Sequence, residues 1–284
     1  MFNNPVCADV VFEVRPLGNS ALFHIPVKLI LIERCPHFKA VLTSGFSESG
    51  TLSLDLSALN CKAVNKLVGD ANDFEIFEIF EMALTLDPAS GDAQQGKKRL
   101  QATLSGPTHP YKGTREFQRI QVTDCSYATI YSLLFFLHTG QVAFLPLQSN
   151  YLLASQDEPH DPPHPLFSPA LRDAWLEAQV LGNEMTHCSA HALYRLADRY
   201  LLDCLREYAK QFIISNLTVQ NVTYEAFSSL SRDFDDFQKD VVAFISQNWS
   251  KVRSSRAWSQ SMELLEEGQL PGGAAVLCRV HEPT

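Results

Sequence analysis

No stretch of this chain is both long and apolar enough to suggest a membrane span. The densest run, Ile130 to Leu137, has the length of a buried helix, whereas a span needs about 18 or more residues. The first residues, MFNNPVCADVVFEV, lack the basic segment, apolar run and small-residue cleavage site of a secretory signal. Positive charge is scarce: 23 Lys and Arg face 32 Asp and Glu, a net charge of -9. Phosphate contacts need cations, so nucleic acid is not an expected partner, and neither is an anionic membrane. The seven cysteines are odd in number and none stands in a CxxC pair. They read as buried free thiols of a reducing, cytoplasmic or nuclear compartment. The sequons at Asn216, Asn221 and Asn248 are then expected to stay unmodified.

The motifs of chemistry are missing too. There is no GxxxxGK(S/T), no GxGxxG, no HExxH and no GxSxG. The sequence therefore offers no phosphate cradle, nucleophile elbow or metal pair. An enzyme is not expected, and neither is a cofactor.

What is present is an ordinary globular composition, 45% apolar and 19% charged, over 284 residues. That is room for one large or two small domains. Along Val10–Val14 the side chains alternate, with Val10, Phe12 and Val14 on one face and Val11 and Glu13 on the other, which predicts a strand. Gly18-Asn19 punctuates and Ala21–Ile25 reads as the returning strand of a hairpin. Pro26 then closes it and suits the start of a helix over Lys28–Glu33. Pro36 opens a second short helix with Phe38, Val41 and Leu42 on one face, and Gly45 is a helix stop.

From Cys61 to Phe117 the texture changes to an acidic–aromatic segment followed by Gly, Gln, Ser and a Lys97-Lys98-Arg99 run. It reads as an insertion, one short amphipathic helix and then a mobile loop. A strand is predicted over Phe117–Thr123. A helix follows, with Tyr127, Ile130, Tyr131, Leu134 and Leu137 on one stripe and Gly140 behind it. A proline-rich connector holds Pro159, Pro162, Pro163, Pro165 and Pro169. Everything after it reads as helical. The stripes are Leu193, Leu196, Ala197 and Tyr200; then Leu205, Tyr208, Ala209, Phe212 and Ile213; then Val219, Val222 and Ala226 behind Thr218 as N-cap; then Phe237, Val241, Phe244 and Ile245. A last helix near Trp258 to Leu265 stops at Gly268.

Some residues invite a chemical reading. His187 and His191 are four apart with Cys188 between them, but a metal needs further ligands and an orienting shell. Ser189 is a good cap, which puts His187 just before a helix, and both histidines are expected at its N-terminus, partly exposed. No metal is expected. His160 and His164 fall in the proline-rich connector, where Pro159–Pro162 and Pro162–Pro165 read as a stiff connector or a polyproline ligand.

DVVFEV (Asp9–Val14), KLILIERCPHF (Lys28–Phe38), SGFSES (Ser44–Ser49) and IQVTDCSYATIYSLLFFLHTG (Ile120–Gly140) together resemble the BTB/POZ domain. LYRLADRYLLDCLREYAKQFI (Leu193–Ile213) looks like the helices that close that domain, and LTVQNV (Leu217–Val222) like the start of its helical extension. The long insertions look most like fungal members. The resemblance implies an α+β fold that runs strand hairpin, helix, helix, strand, helix, with His138-Thr139-Gly140 at the terminal turn, followed by an all-helical extension. It divides the chain into a first part at 7–60, an insertion at 61–117, a second part at 118–146, a proline-rich connector at 147–170, closing helices at 171–216 and the extension at 217–284. Val27 stands where the family usually has a His, so packing is expected to replace a polar bond there. Eight residues precede Asp9, too few for the swapped helix and strand of many members, and self-association is expected to be weak or absent.

The resemblance implies an interaction protein, a substrate adaptor docking a cullin-3 ubiquitin ligase scaffold through an apolar residue, any residue and an acid. Phe46, Ser47 and Glu48 match that pattern. Phe46 is then either the apolar anchor of a partner or a core side chain that folds back. The alternative function is a homo-oligomeric or transcription-linked scaffold without cullin. A client is not named by the sequence. The low apolar content of Asp87–Gly113 predicts that limited trypsin cuts first at Lys97, Lys98 or Arg99. Mass spectrometry of the first fragments checks this, and first cuts within Arg195–Arg206 would contradict it.

Overall fold

The chain is α+β. The computed structural model describes residues 4–14, 23–29, 33–44, 49–56, 113–123, 125–150, 187–268, 270 and 272–281. It divides into two compact units. Among the described residues, the first holds those up to Leu145 and from 187 to Ala209, and the second those from Pro146 to 150 and from Lys210 on.

The first unit is built on a four-stranded sheet of β1 (Val10–Val14), β2 (Phe23–Val27), β3 (Ser49–Asp55) and β4 (Thr114–Val122), in the order β2-β1-β4-β3. β1 pairs antiparallel with β2 and parallel with β4, and β3 pairs antiparallel with β4. The valine-rich β1 is buried along its whole length. Such a run suits a central strand covered on both faces. Val10, Phe12 and Val14 join Ile25, Val27, Ile120 and Val122 in the main apolar core, while Val11 packs with Ala8 and Phe117 on the other face. Val27 thus packs in the core, in the slot where a polar bond was not expected.

Helices cover the first face. α1 (Pro36–Ser44) buries Phe38 and Val41. The Phe38 ring meets Phe12 edge-on at 4.9 Å and Tyr200 at 4.9 Å. α2 (Tyr127–Thr139) buries Tyr127, Ile130, Leu133, Leu134 and Leu137. Ser126 caps it by accepting from the Thr129 N–H, and Gly140 closes it in the left-handed region (φ 73°), donating to the Phe136 carbonyl at 2.7 Å. A short parallel pair, β5 (Ala143–Phe144) and β6 (His187–Cys188), leads into α3 (Ala190–Arg199), which packs on α2. The Arg34 guanidinium donates to the Leu137 carbonyl at 2.8 Å, tying the approach to α1 to the end of α2.

The boundary between the units falls inside α4 (Asp203–Ser215), upstream of the division at 217 read from the sequence. The second unit is helical: α5 (Val222–Ala226), α6 (Ser229–Asp233), α7 (Asp235–Gln247), α8 (Trp249–Val252), α9 (Arg256–Glu266) and α10 (Gly273–His281). α5 packs on α7 and α9, and α7 also packs on α10. Phe237, Val241 and Ile245 of α7 supply the buried stripe that the spacing predicts. No described helix is long and apolar enough to cross a membrane.

Several expectations are corrected. Pro26 lies inside β2, opposite Val11, and not in a helix; of the helix expected over Lys28–Glu33, Leu29 is helical and residues 30–32 lie outside the described residues. β2 is an edge of the described sheet, and an edge strand tolerates proline because one of its sides has no ladder to satisfy. SGTLSLD forms β3, although its polar residues give a weak strand signal; Leu52 and Leu54 are half-buried and Thr51 and Ser53 exposed. β4 starts at Thr114, inside the range read as insertion, because it extends along β3. The segment after the connector is not wholly helical, since β6 precedes α3. Thr218 makes the hydrogen bonds of a cap, its hydroxyl accepting from the Asn221 N–H and its carbonyl from the Val222 N–H, but the residues between form a turn and α5 starts only at Val222. Tyr208 is 54% exposed and not part of a buried stripe. Beyond Gly268 the chain resumes as α10, whose Val276 and Val280 are buried.

Phe38 holds α1 against both β1 and the end of α3. Phe38→Ala is expected to cost about 3–5 kcal/mol, the range for emptying a buried aromatic site. Urea unfolding followed by near-ultraviolet circular dichroism measures it.

Candidate partner-docking site

Phe46, Ser47 and Glu48 lie outside the described residues, as do Gly45, Lys97-Lys98-Arg99, His160, His164 and the proline cluster. What is described is how both ends of the Gly45–Glu48 link are held. On the upstream side, α1 is fixed by Phe38 and Val41 beneath it and by the His37 ring, which stacks on Tyr200 at 4.5 Å. The Thr43 hydroxyl donates to the Lys39 carbonyl at 2.9 Å in the last turn. Pro36, His37, Lys39, Ala40 and Thr43 face solvent. On the downstream side, Ser49 enters the sheet directly as the partner of Ile120, with Gly50 beside Arg119. The four-residue link therefore leaves a packed helix and enters a paired strand.

Sequence reasoning missed two further features of this unit. Tyr200, read only as a core residue, is also the platform for His37, and its carbonyl accepts from the Cys35 thiol at 3.9 Å. Leu201, next to it, is 74% exposed and has a φ of +56°, the one non-glycine with positive φ among the described residues. The signal was available in principle, because a helix that ends at Arg199 calls for Gly or Asn just past its end. Leu there stands in a conformation that costs a side-chain-bearing residue about 1–2 kcal/mol.

The residues singled out for possible metal chemistry do not come together as a set. His187 and Cys188 form β6, and His191 stands one turn on in α3. Ser189 caps α3 through the Ala192 N–H, as expected, but His191 is buried, against the expectation of partial exposure. α3 lies over the core of the unit, so the second residue of the helix is turned inward. Among the described residues, no three His, Cys, Asp or Glu side chains form a group suited to a metal ion. Burial pushes the Cys35 thiol up from its ordinary value, against backbone N–H groups of Phe38 and His37 that pull it down. Cys35 is therefore a packing group and a poor nucleophile at neutral pH, whereas Cys204 and Cys278 stand exposed on helix surfaces, against the expectation of buried thiols. Compared with known proteins, the chain matches no family model and no curated sequence.

Leu201→Gly removes the clash of the left-handed backbone at the cost of a more flexible unfolded chain. The balance is expected to stabilise the protein by about 0.5–1 kcal/mol. A rise in Tm by calorimetry checks it, and a fall would mean that the Leu201 side chain has packing worth more than its strain.

Proposed function

We propose that this chain is a protein–protein interaction module of the BTB/POZ type that docks a cullin-type ubiquitin ligase scaffold through Phe46, Ser47 and Glu48. The observation that carries the reading is the order of elements around the candidate link. The antiparallel pair β1–β2 is followed by α1, then by β3 immediately after the link, then by β4 and by α2 closed by His138-Thr139-Gly140. That order supports the resemblance drawn from the sequence. The anchored flanks support the docking role, because they fix where the link leaves α1 and where it enters β3. In this reading Phe46 is the apolar anchor and Glu48 the charge that sets orientation. The client remains to be selected by the helical second unit or by the insertion. The protein acts in the cytoplasm or nucleus, by binding and not by catalysis. The second reading, a self-associating or transcription-linked scaffold without cullin, shares the same fold and differs in the partner.

Phe46→Ala is expected to lose about 1.5–3 kcal/mol of binding, the worth of one buried Phe. That corresponds to a rise of about 10- to 150-fold in Kd for a cullin N-terminal fragment. Glu48→Ala at a rim is expected to cost about 1 kcal/mol or less. Titration calorimetry of each variant, with a melting curve beside it, decides the matter. A large drop in Tm for Phe46→Ala makes Phe46 a core residue. Normal melting with unchanged or absent cullin binding moves the function to the scaffold reading.

A further inference from the structure

The face of the sheet turned away from the helices carries a group of charges around one buried carboxylate that the docking reading does not use. Glu13 of β1 is 5% exposed. Its direct cross-strand partner on β2 is His24. On β4, the Arg119 guanidinium lies 4.0 Å from the Glu13 carboxylate. Two nitrogens in this group, His24 Nε2 and Arg119 Nε, are buried with no hydrogen-bond partner. The arginine also reaches the other way, over β3: a Cβ placed on Gly50 would stand 3.4 Å from its Nη2. Further along the same face, Asp9 and Arg115 pair at 3.9 Å, and Gln121 is the register partner of Glu13. Among the described residues, the charged groups on this face are thus Glu13 of β1, Asp9 just before that strand, and Arg119 and Arg115 of β4.

A buried carboxylate with two candidate cations beside it is shared between them. At 4.0 Å the arginine pair is loose and leaves the carboxylate room for a second donor. A neutral imidazole has one N–H, whereas the imidazolium has two, and a buried N–H needs an acceptor. We propose that Glu13 is a proton-controlled cross-strand switch, held by Arg119 while His24 is neutral and taken by His24 when it gains a proton. Acid then loosens the charge link between β1 and β4 at the point where β3 begins.

The direction of the titration agrees. Burial holds His24 below its ordinary 6.5, with Glu13 pulling partly the other way. An unfolded His24 binds its proton first as pH falls. The stability that His24 contributes is therefore fully present above about pH 6.5 and is lost as pH drops towards the folded value. This inference stands independently of any cullin.

The test is a pH titration of the full chain by nuclear magnetic resonance, following the His24 imidazole nitrogens and the Arg119 Nε. His24→Gln assigns the histidine signals. The expected result is that both groups shift at one common midpoint below 6.5. In His24→Gln, the Arg119 signal is expected to stop moving in that range. In Glu13→Gln, the His24 midpoint is expected to fall further, because its attracting charge is gone. The proposal is overturned if Arg119 stays still while His24 titrates, or if the His24 midpoint does not move in Glu13→Gln. Should Glu13→Gln fail to fold with Arg119 left unpaired, the co-titration in the unaltered chain decides alone.

Discussion

The parallel pairing of Val10–Val14 with Gln118–Val122 is the contact on which the first unit depends. The two strands come from opposite sides of the long interruption in the chain, so nothing local brings them together. Once paired, they place Phe12 beside Ile120 and create the apolar floor on which α1, α2 and α3 pack. Phe38 and Tyr200 then lock α1 to that floor from two directions. A non-local parallel pair forms late and at an entropic cost, since the loop between must be closed before any contact rewards it. The apolar content of β1 offsets that cost: each of its five residues is buried.

Burial on both faces also explains the charge group. Glu13 is buried, so its carboxylate must find a cation within the protein. Arg119 meets that need only loosely, and His24 is the register partner of Glu13 on β2. The same register that builds the core on one face thus imposes an electrostatic compromise on the other.

The second unit is held differently. Its interior includes a polar clasp in which the Ser149 hydroxyl donates to the buried Glu225 carboxylate at 2.7 Å and the Asn221 amide donates to Asn150 at 2.8 Å. The hydroxyls of Ser228 and Ser231 both donate to the Glu225 carbonyl at 2.7 Å. The clasp fixes the segment after Leu145 to the start of the helical array, while Phe237, Val241 and Ile245 supply the apolar stabilisation. On the rim, Lys210 bridges Asp236 and Asp240, and Arg279 pairs with Asp235. The Arg279–Asp235 pair is exposed and adds little free energy, orienting α10 on α7 more than it stabilises it, whereas Lys210 of α4 is mostly covered and pairs closely with Asp240 at 2.7 Å.

The sequence by itself determined the elements whose signals are local. Alternation in DVVFEV set β1, the apolar spacing from Tyr127 to Leu137 set α2, and Gly140 marked its C-terminal end, whereas the Ser126 cap emerged only in the structure. The stripes of α3 and α7 were equally legible, because a helix face repeats within its own residues. The docking pattern Phe46-Ser47-Glu48 was legible only through resemblance, and the described structure fixes its flanks alone. Tertiary structure decided what no local signal carries. β3 exists because β4 offers it an edge, and Pro26 sits in a strand because that strand is an edge. Tyr208 stands exposed because α4 turns that side outward. The grouping of Glu13, His24 and Arg119 depends on a register between three strands, and a register is a property of the fold, not of any one segment.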